Sequence, residues 1–413
     1  MRLSFHKTVE AWVAGLRKQV NLPLRVCWYT DEGPVPPDAP AWMLGDMPEA
    51  KVTLVVRDGA ALPALLSPSL DSLGQAYVEG QIDVHGPIDD ILAIAHTMAE
   101  LGAARHGLLT RLVQTFNHSR QSDLQAIQYH YDVSNDFYRE WLDPAMVYSC
   151  AYFEHGTESL AEAQRKKIDH ILTKVRLQAG QRLLDIGCGW GALVLRAAQH
   201  FGARCVGITL SQNQFDLATE RVRAAGLQDR IEIRLQDYRD VNETFDRITS
   251  VGMFEHVGLQ HLSDYFGIIR RLLTDDGWCL NHGITSTDAH DGETRHGGGR
   301  FIDRYVFPQG ELPHIGTVLR TMQEGGLEAI DVESLRRHYA LTLTHWSRAF
   351  EARTERLRQW VDERTWRIWR VYLAGCARAF EHDDISLFQV LCRPAGLSAQ
   401  GMPWSRRWIY EAG

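Results

Sequence analysis

The sequence predicts an α/β fold, with a doubly wound sheet in a larger domain that follows a small α+β domain. From about residue 160, segments with the period of a helix alternate with short apolar segments rich in Val, Ile and Leu. The segments between successive strands are about a dozen residues long, which is the length that a crossover between parallel strands needs. Strands joined in this way form a parallel sheet with helices on both faces.

Length and composition indicate a globular chain with more than one domain. The chain has 413 residues, whereas one domain usually has roughly 100–200. A hydrophobic share of 45% and a charged share of 23% argue against a disordered or collagen-like chain. The 7 cysteines form neither a disulfide framework nor a CxxC or Cys/His metal knuckle. We therefore expect free thiols, a reducing compartment and no bound metal.

The charge balance and the N-terminus bear on partners and location. Lys and Arg number 44 against 52 Asp and Glu, a formal charge of −8, so no overall positive field would attract nucleic acid. The first residues, MRLSFHKTVEAWVAGLRKQV, alternate charged with apolar residues instead of forming a signal peptide. Since no run of about 18 apolar residues occurs, we predict a cytoplasmic protein without a transmembrane segment.

The elements follow one another in a consistent order. The strands LPLRVCWYT and KVTLVVRDG and a helix rich in Ile, Leu and Ala make up the small domain. In the larger domain the predicted strands are QRLLDIG, RCVGITL, IEIRLQDY, FDRITSVGMF and WCLNHGI, with amphipathic helices before and between most of them. The predicted organisation is the small domain at 1–104, a linker at 105–125, the larger domain at 126–395 and an unassigned tail at 396–413.

A glycine-rich loop, LLDIGCGWG, marks a candidate cofactor site. A strand ends at the acid Asp185, and Gly187, Gly189 and Gly191 follow at alternate positions before a helix. Glycines let the backbone turn sharply and approach a ligand, whose polar end then meets a helix N-terminus. A dinucleotide fingerprint would be GxGxxG, whereas DxGxGxG is typical of S-adenosylmethionine-dependent class I methyltransferases. Alone, the triplet could equally be a tight turn; the order of strands and helices around it favours a cofactor site.

The following strands predict the rest of that site. The second strand, CVGITLSQNQ, carries no acid for the ribose hydroxyls, so we expect Thr209 and Gln214 to supply the hydrogen bonds. After the third strand, Tyr238 is placed to cover the adenine, with Asp237 or Arg239 alongside.

Co-linear motifs over residues 70–393 closely resemble the cyclopropane-fatty-acyl-phospholipid synthases, which are related to the mycolic acid cyclopropane synthases. Besides LDIGCGWG, they are GQAYVEGQIDVHG, HYDVSNDFYREWLDPAMVYSCAYF, GITLSQNQ, MFEHVG, FIDRYVFPQGELP and HYALTLTHW. The resemblance implies a class I, Rossmann-like methyltransferase that transfers the methyl of S-adenosylmethionine to the cis double bond of a phospholipid acyl chain, where the added carbon closes a cyclopropane ring. It further implies a peripheral enzyme that binds phospholipid at the inner face of the membrane and could form a homodimer. The N-terminal domain would then bind lipid or mediate dimerisation.

The resemblance also implies individual site residues. The cofactor contacts are Tyr148, Ser149, Leu183, Leu184, Asp185, Ile186, Gly187, Cys188, Gly189, Trp190, Gly191, Thr209, Leu210, Ser211, Gln212, Asn213, Gln214, Tyr238 and Arg239. A bicarbonate ion is held by Cys150, Glu255, His282 and Tyr339, with the backbone of Ile284 nearby.

The chemistry of the reaction is consistent with the implied bicarbonate ligands. Methyl transfer to an alkene leaves a carbocation, and a small, close base must remove a proton from the new methyl before the cation rearranges or meets water. Bicarbonate oxygens need donors, which Cys, Tyr, His and a backbone N–H can supply, while Glu255 accepts from the ion's own O–H. Aromatic faces at Tyr305, Tyr339 and Trp346 would steady the cation.

The resemblance marks Cys376 as a further active-site residue, but its context predicts a structural role. The segment TWRIWRVYLAGCARAF is predicted as one helix with Trp366, Trp369, Leu373 and Cys376 on a single face. A thiol in such a stripe is more often an inert core group, and this methyl transfer needs no covalent enzyme intermediate. We keep Cys376 in the candidate set and expect Cys150 to lie nearer the chemistry.

Three other functions stay open on the sequence alone. A related enzyme could leave a methyl-branched acyl chain, or N-methylate a small soluble substrate, and there the bicarbonate set need not be complete. The third alternative is a non-catalytic lipid-binding protein. The intact cofactor and bicarbonate motifs argue against it.

The linker predicts a membrane-binding surface that can be tested. Arg105, Arg111 and Arg120 lie beside leucines at helical spacing, although a helix packed on its own protein is the simpler interpretation. Each basic group near an anionic surface contributes about 1 kcal/mol, so the triple variant Arg105→Ala/Arg111→Ala/Arg120→Ala should bind anionic vesicles far more weakly. Vesicle sedimentation measures the binding. Unchanged binding would indicate a different membrane-binding surface, for example one formed by Trp404, Arg406 and Arg407.

Overall fold

The computed structural model of the chain describes residues 2–31, 33–105, 133–289, 298–308, 310–400 and 402–410. Arg111, Arg120 and the side chain of Arg105 lie outside these residues, and with them the predicted linker surface. The described residues form two compact units, one from 2–105, 298–306 and 361–378, the other from 133–289, 307–360 and 379–410. The first unit therefore combines the N-terminal segment with two segments from much later in the chain.

The secondary structure follows the chain in this order. The strands are β1 Leu24–Trp28, β2 Ala41–Met43, β3 Val52–Val56, β4 Ile82–His85, β5 Arg182–Ile186, β6 Arg204–Thr209, β7 Ile231–Leu235, β8 Phe245–Val251, β9 Leu273–Ser286, β10 Leu327–Ser334 and β11 Ile385–Pro394. The helices are α1 Arg2–Arg17, α2 Leu62–Leu66, α3 Leu70–Val78, α4 Ile88–Arg105, α5 Asn135–Arg139, α6 Leu160–Lys174, α7 Ala192–His200, α8 Gln212–Ala224, α9 Leu262–Leu272, α10 Gly298–Tyr305, α11 Ile315–Glu324, α12 Arg336–Ala352, α13 Thr354–Leu357, α14 Glu363–Glu381 and α15 Arg407–Tyr410.

The first unit is an α+β structure, as predicted. Its sheet has the strand order β2-β1-β3-β4, in which β1 and β3 are parallel and the outer strands antiparallel. Buried side chains from α1, the sheet, α3 and α4 form its core; Val9, Val26, Leu54 and Leu73 are among them.

A partly buried ion-pair cluster adds to the packing of the first unit. Arg57 Nε and Arg367 Nη2 donate to the Asp83 carboxylate at 2.7 and 2.6 Å. Burial opposes ionisation of Asp83, but these hydrogen bonds prevail and hold its pKa below the usual value. Asp83 is on β4 and Arg367 on α14, so this charge pair joins chain segments far apart in sequence.

The second unit has the doubly wound sheet that the sequence predicts. Its strand order is β10-β11-β9-β8-β5-β6-β7, and the neighbours from β9 to β7 are parallel. The five predicted strands are all parallel, but β10 and β11 were not predicted: β11 lies between β9 and β10 and is antiparallel to both. An antiparallel strand needs no crossover helix of fixed hand, so the helix–strand alternation did not indicate it.

Hydrophobic side chains cover both faces of this sheet. On β5, Leu183 belongs to one cluster and Leu184 and Ile186 to the other, as alternate residues of a strand must. Asp185 therefore projects to the same face as Leu183. Within the described ranges, every helix is too short or too polar to cross a membrane.

Helix α14 has the buried face that its sequence pattern predicts. Trp366, Trp369 and Leu373 are 6%, 5% and 0% exposed. Cys376 is partly exposed as a residue, but desolvation raises the pKa of its thiol to about 12, so it holds almost no nucleophilic thiolate at neutral pH. Residues 363–378 of this helix belong to the first unit.

We therefore expect Cys376→Ser to keep substantial activity and to lose stability. A hydroxyl that replaces the thiol without a full set of hydrogen bonds costs about 1–3 kcal/mol. Thermal unfolding followed by circular dichroism, together with product formation, measures both effects, and Cys27→Ser, at another buried thiol of the same unit, is the matched control. A folded Cys376→Ser protein that binds cofactor normally but forms no product would establish Cys376 as catalytic.

Candidate active site

A cleft opens at the carboxyl ends of β5, β6 and β8, where open α/β sheets bind ligands. The last residues of these strands, Ile186, Thr209 and Val251, all lie in its wall. The complete lining is Met146, Val147, Tyr148, Ser149, Lys167, Ile168, Asp185, Ile186, Gly187, Cys188, Gly189, Trp190, Ala192, Leu193, Ile208, Thr209, Leu210, Gln214, Gln236, Tyr238, Val251, Gly252, Met253 and His256.

The three loop glycines have left-handed backbone conformations, with φ of 79° at Gly187, 54° at Gly189 and 82° at Gly191. A Cβ built on Gly189 would meet no atom within 4 Å, so this position borders open space in the cleft. A Cβ on Gly191 would instead lie 3.3 Å from the Cβ of Ala218 on α8. Gly189 therefore leaves room for a ligand, whereas Gly191 allows α7 and α8 to pack closely.

Asp185 projects into the cleft from the end of β5. Its side chain is almost fully buried, and Oδ1 accepts a hydrogen bond from Thr249 Oγ1 at 2.7 Å. Burial raises its pKa to about 6, although Thr249 and the positive charge of Lys167 act in the opposite direction. An additional positive charge in the cleft would favour the ionised form.

The turn that precedes Tyr148, Ser149 and Cys150 is held by hydrogen bonds to the Asp143 carboxylate. Asp143 accepts hydrogen bonds from the backbone N–H groups of Ala145 at 2.9 Å and Val147 at 2.8 Å. Between them, Met146 adopts a φ of 55°, which is rare for a residue with a side chain and is found mainly where surrounding structure imposes it. The turn brings Met146, Tyr148 and Ser149 to the cleft wall.

Lys167 is a cleft residue that the sequence reasoning missed. It is 2% exposed, and its Nζ donates to Ser149 Oγ at 2.6 Å. Burial lowers the pKa of this ammonium to about 8, although Cys150, Asp143 and Asp185 favour its charged form. Gln164, one turn earlier on α6, donates to the Ser149 carbonyl at 2.8 Å. Polar residues three apart on the apolar face of this helix were the signal for a site.

Of the residues expected near the ribose and adenine, Thr209, Gln214 and Tyr238 line the cleft, whereas Asp237 and Arg239 do not. Thr209 Oγ1 donates to Gln214 Oε1 at 2.7 Å, so these two side chains already form a pair. Tyr238 lines the cleft and packs edge-on against Tyr265, with ring centroids 5.4 Å apart. Arg239 Nη2 is 2.6 Å from Asp237 Oδ2.

Asn135, another residue that the sequence reasoning missed, connects the glycine loop to α8. Its Oδ1 accepts from Trp190 Nε1 at 2.8 Å, and its Nδ2 donates to the carbonyl of Asn213 at 3.3 Å. The remaining predicted cofactor residues take other positions: Leu183 and Leu184 are in the two hydrophobic clusters, and Ser211 is the N-cap of α8. Gln212 and Asn213 form the first turn of that helix.

Beside the cleft, Glu255 lies in the short turn Phe254–His256, between the cleft residues Met253 and His256. Its Oε1 accepts from the backbone N–H of Ile284 on β9 at 2.7 Å. Burial raises its pKa to about 7, against the effect of that hydrogen bond. Its Oε2 is buried and has no hydrogen-bond partner among the described residues. The Ile284 N–H, which was expected to face an ion, donates to Glu255.

His282 supplies a second unpartnered atom. The side chain is 1% exposed, and its Nδ1 lies 3.3 Å from Nε2 of Gln389 on β11. Burial, and next the charge of Lys167, lowers its pKa well below the usual value, so the ring is neutral at pH 7. Its Nε2 is buried and finds no partner in the described part of the chain.

The Cys150 thiol contacts Leu335 at the start of α12, one helical turn before Tyr339. Cys150 Sγ lies 3.8 Å from the Leu335 carbonyl oxygen, and the Tyr339 N–H donates to the same oxygen at 3.0 Å. Leu335 in turn donates to Leu387 on β11, which pairs with Ile284. Cys150 therefore lies close to the start of α12, and Glu255 and His282 both contact the β9–β11 pair. Burial raises the pKa of the Cys150 thiol, which also donates to the Ala151 carbonyl at 3.2 Å.

An aromatic cluster joins α12 to the cleft. The ring of Tyr148, in the cleft wall, lies 5.2 Å from Trp346, whose ring is 6.0 Å from that of Tyr339 at an interplanar angle of 85°. Trp141 packs against both Tyr148 and Trp346. Tyr305 belongs to the other compact unit. No group of three or more His, Cys, Asp or Glu side chains in the described ranges could hold a metal ion.

The fold and the cleft define a class I S-adenosylmethionine-dependent methyltransferase. The chain belongs to the mycolic acid cyclopropane synthetase family, whose sequence profile matches residues 118–390. The family resemblance of the sequence motifs is thereby confirmed.

Individual relatives agree with this assignment. A probable fatty acid methyltransferase of Pseudomonas putida is 42% identical over 405 residues, which are 95% of this chain and 98% of that protein. Cyclopropane-fatty-acyl-phospholipid synthase of Escherichia coli K12 is 39% identical over 262 residues, 63% of this chain and 66% of that protein. The crystal structure of mycolic acid cyclopropane synthase CmaA1 complexed with SAH and CTAB has 37% identity and a TM-score of 0.62, and the match covers 65% of this chain and 97% of that one.

The open space at Gly189 predicts that a side chain there competes with the cofactor. We expect Gly189→Val to weaken S-adenosylmethionine binding by at least 10-fold, about 1.4 kcal/mol, in isothermal titration calorimetry. Gly226→Val is the matched control, because Gly226 also has a positive φ, 66°, and open space around its Cβ, but lies outside the cleft lining. Equal affinities of the two variants would place the cofactor elsewhere.

Proposed function

We propose that this enzyme is a cyclopropane-fatty-acyl-phospholipid synthase that methylates the cis double bond of an unsaturated acyl chain and closes a cyclopropane ring, with bicarbonate as the proton acceptor. The observation that carries the proposal is the pair of buried, unpartnered atoms, Glu255 Oε2 and His282 Nε2. Buried polar atoms are usually hydrogen-bonded, and a bound ion is one of the groups that can satisfy an unpartnered one. The name of the Escherichia coli relative supports phospholipid as the substrate class.

The charges in the cleft fit the amino-acid end of S-adenosylmethionine. Lys167 carries a buried ammonium beside Ser149, and Asp185 a buried carboxyl group at the end of β5. A ligand with its own carboxylate and ammonium would pair with both groups and offset the cost of burying them. When bound, the cofactor supplies an electrophilic methyl group. Gly187 and Gly189 leave the space that it needs.

The second set of residues fits a bicarbonate ion. When bound, the ion accepts the proton that the new methyl group loses. Neutral His282 and the Tyr339 hydroxyl can donate to its oxygens, and Glu255 Oε2, when ionised, accepts from its O–H. Glu255 thus orients the ion. Because its pKa is about 7, the ionised form is present at neutral pH.

The aromatic cluster suits a substrate that becomes cationic. The faces of Tyr148, Trp346 and Tyr339 carry negative partial charge, and each contact with a cation contributes about 0.5–2 kcal/mol. Trp346 is fully buried, and these rings exclude the water that would trap the cation.

Because phospholipid lies in the bilayer, we further propose that the enzyme acts as a peripheral protein at the inner face of the cytoplasmic membrane. Following the family resemblance, we propose that it does so as a homodimer.

Expression in a bacterial host with unsaturated phospholipids tests the proposal. We expect lipid acyl chains to gain the mass of one CH₂ group and, in proton NMR, the signals of a cyclopropane methylene. Glu255→Gln should keep cofactor affinity but lower the turnover number by orders of magnitude, because the amide can donate where the ion needs an acceptor. Glu355→Gln, at a side chain 91% exposed, is the matched control.

Other products would contradict the proposal in distinct ways. A CH₂ gain in chains that keep their alkene signals and have no cyclopropane signals would indicate methyl branching without ring closure. Methylation of soluble amines without any lipid product would indicate an N-methyltransferase. Full activity of Glu255→Gln in bicarbonate-depleted buffer would exclude the assigned role of Glu255. An absence of S-adenosylmethionine binding would favour a non-catalytic lipid-binding protein.

A further inference from the structure

Gln389 is a fully buried amide that connects a lysine to the histidine of the site. On one side its Oε1 accepts a hydrogen bond from Lys174 Nζ at 3.0 Å, and on the other its Nε2 lies 3.3 Å from His282 Nδ1. Gln389 is directly opposite His282 in the β9–β11 pair. Neither Lys174 nor Gln389 lines the cofactor cleft.

The lysine fixes which way the amide points. An ammonium only donates hydrogen bonds, so the amide must turn its oxygen to Lys174 and its NH₂ group to His282. The opposite orientation would place two N–H donors against a positive charge in the protein interior, where such repulsion is weakly screened.

Lys174 is itself held by the carboxylates of Glu333 and Asp331. Its side chain is 0% exposed; Nζ donates to Glu333 Oε2 and lies 3.5 Å from Asp331 Oδ2. His170 also contacts Glu333, at 2.8 Å. Burial opposes ionisation of Glu333, but these partners together lower its pKa to about 2, so the countercharge persists. The ammonium therefore keeps its position behind the amide.

We propose that Gln389 is a positioning residue that fixes His282 as the tautomer protonated on Nε2. Since the amide donates to Nδ1, that nitrogen must be the acceptor, and a neutral imidazole then carries its proton on the other nitrogen. His282 thereby presents an N–H donor at the atom that has no partner among the described residues. The inference rests on the proposed function in one respect, namely that the acceptor of this N–H is the bicarbonate ion.

The opposite tautomer would not serve an anion. It would direct a nitrogen lone pair at the oxygen of the ion and leave two N–H donors, from Gln389 and Nδ1, facing each other. A donor that is fixed before the ion binds requires no reorganisation during the reaction.

Histidine ¹⁵N NMR on the wild-type enzyme, without substrate or bicarbonate, tests the tautomer directly. The chain has 18 histidines, so the signals of His282 are identified by their loss in His282→Asn. We expect a protonated Nε2 and an unprotonated Nδ1. A wild-type protein with the proton on Nδ1 would overturn the proposal, whatever lipid the enzyme forms.

The variant Gln389→Glu then tests whether Gln389 sets the tautomer of His282. A carboxylate accepts instead of donating, so the proton should move to Nδ1, and the turnover number should fall by roughly 100-fold or more, as when a preorganised donor is removed. Affinity for S-adenosylmethionine should stay unchanged. Gln323→Glu, at an exposed position on α11 in the same unit, controls for the added charge. An unchanged tautomer in a folded Gln389→Glu protein would show that Gln389 does not set it.

Failure of the proposed function gives a different result. In that case the tautomer and its change in Gln389→Glu would be as expected, while the wild-type enzyme would form no cyclopropane lipid.

Gln389→Met, which removes the donor without adding charge, should give a mixture of tautomers and an intermediate turnover number. A single Nε2-protonated form in Gln389→Met would contradict the proposal.

Discussion

Exclusion of water from the carboxyl ends of the central strands is the constraint on which the site depends. Asp185, Lys167, Glu255 and His282 are all buried there, and desolvation moves every one of their pKa values toward the neutral form. The acids titrate at about 6 and 7 and the lysine at about 8. Groups with ordinary pKa values far from neutrality are thus brought close to it, so the charges of bound ligands decide which of them are ionised.

The parallel part of the fold could be predicted because each of its elements has a local signature. Strand β5, which carries Asp185, is a short and mostly apolar segment, and α6, α7 and α8 have amphipathic patterns of ordinary length. The reversal of β11 could not be predicted in the same way, since strand direction depends on where the chain re-enters the sheet. Likewise, the association of residues 361–378 with the N-terminal segment is a tertiary effect: Arg367 on α14 pairs with Asp83 on β4.

The candidate site was predictable where function leaves a compact motif. The glycine loop and Glu255 after β8 fall where the sheet places ligands, and Tyr148 and Ser149 line the cleft. Lys167 was missed because RKK within a helix normally indicates a solvated face, and this charge run outweighed the spacing of Gln164 and Lys167 on the apolar face of the helix. The side chains of Leu183 and Leu184, which the family resemblance implies as cofactor contacts, pack in the two hydrophobic clusters on opposite faces of the sheet.

The position of β11 has a consequence for biosynthesis. This strand leaves the ribosome after every other strand of its sheet, yet it lies between β9 and β10. Until it inserts, β10 has no neighbour in the sheet and β9 has an unpaired edge, which exposes a template for association with other chains. The pairing of residues so distant in sequence is slow to form. We therefore expect the sheet of a nascent chain to be completed only after β11 has left the ribosome.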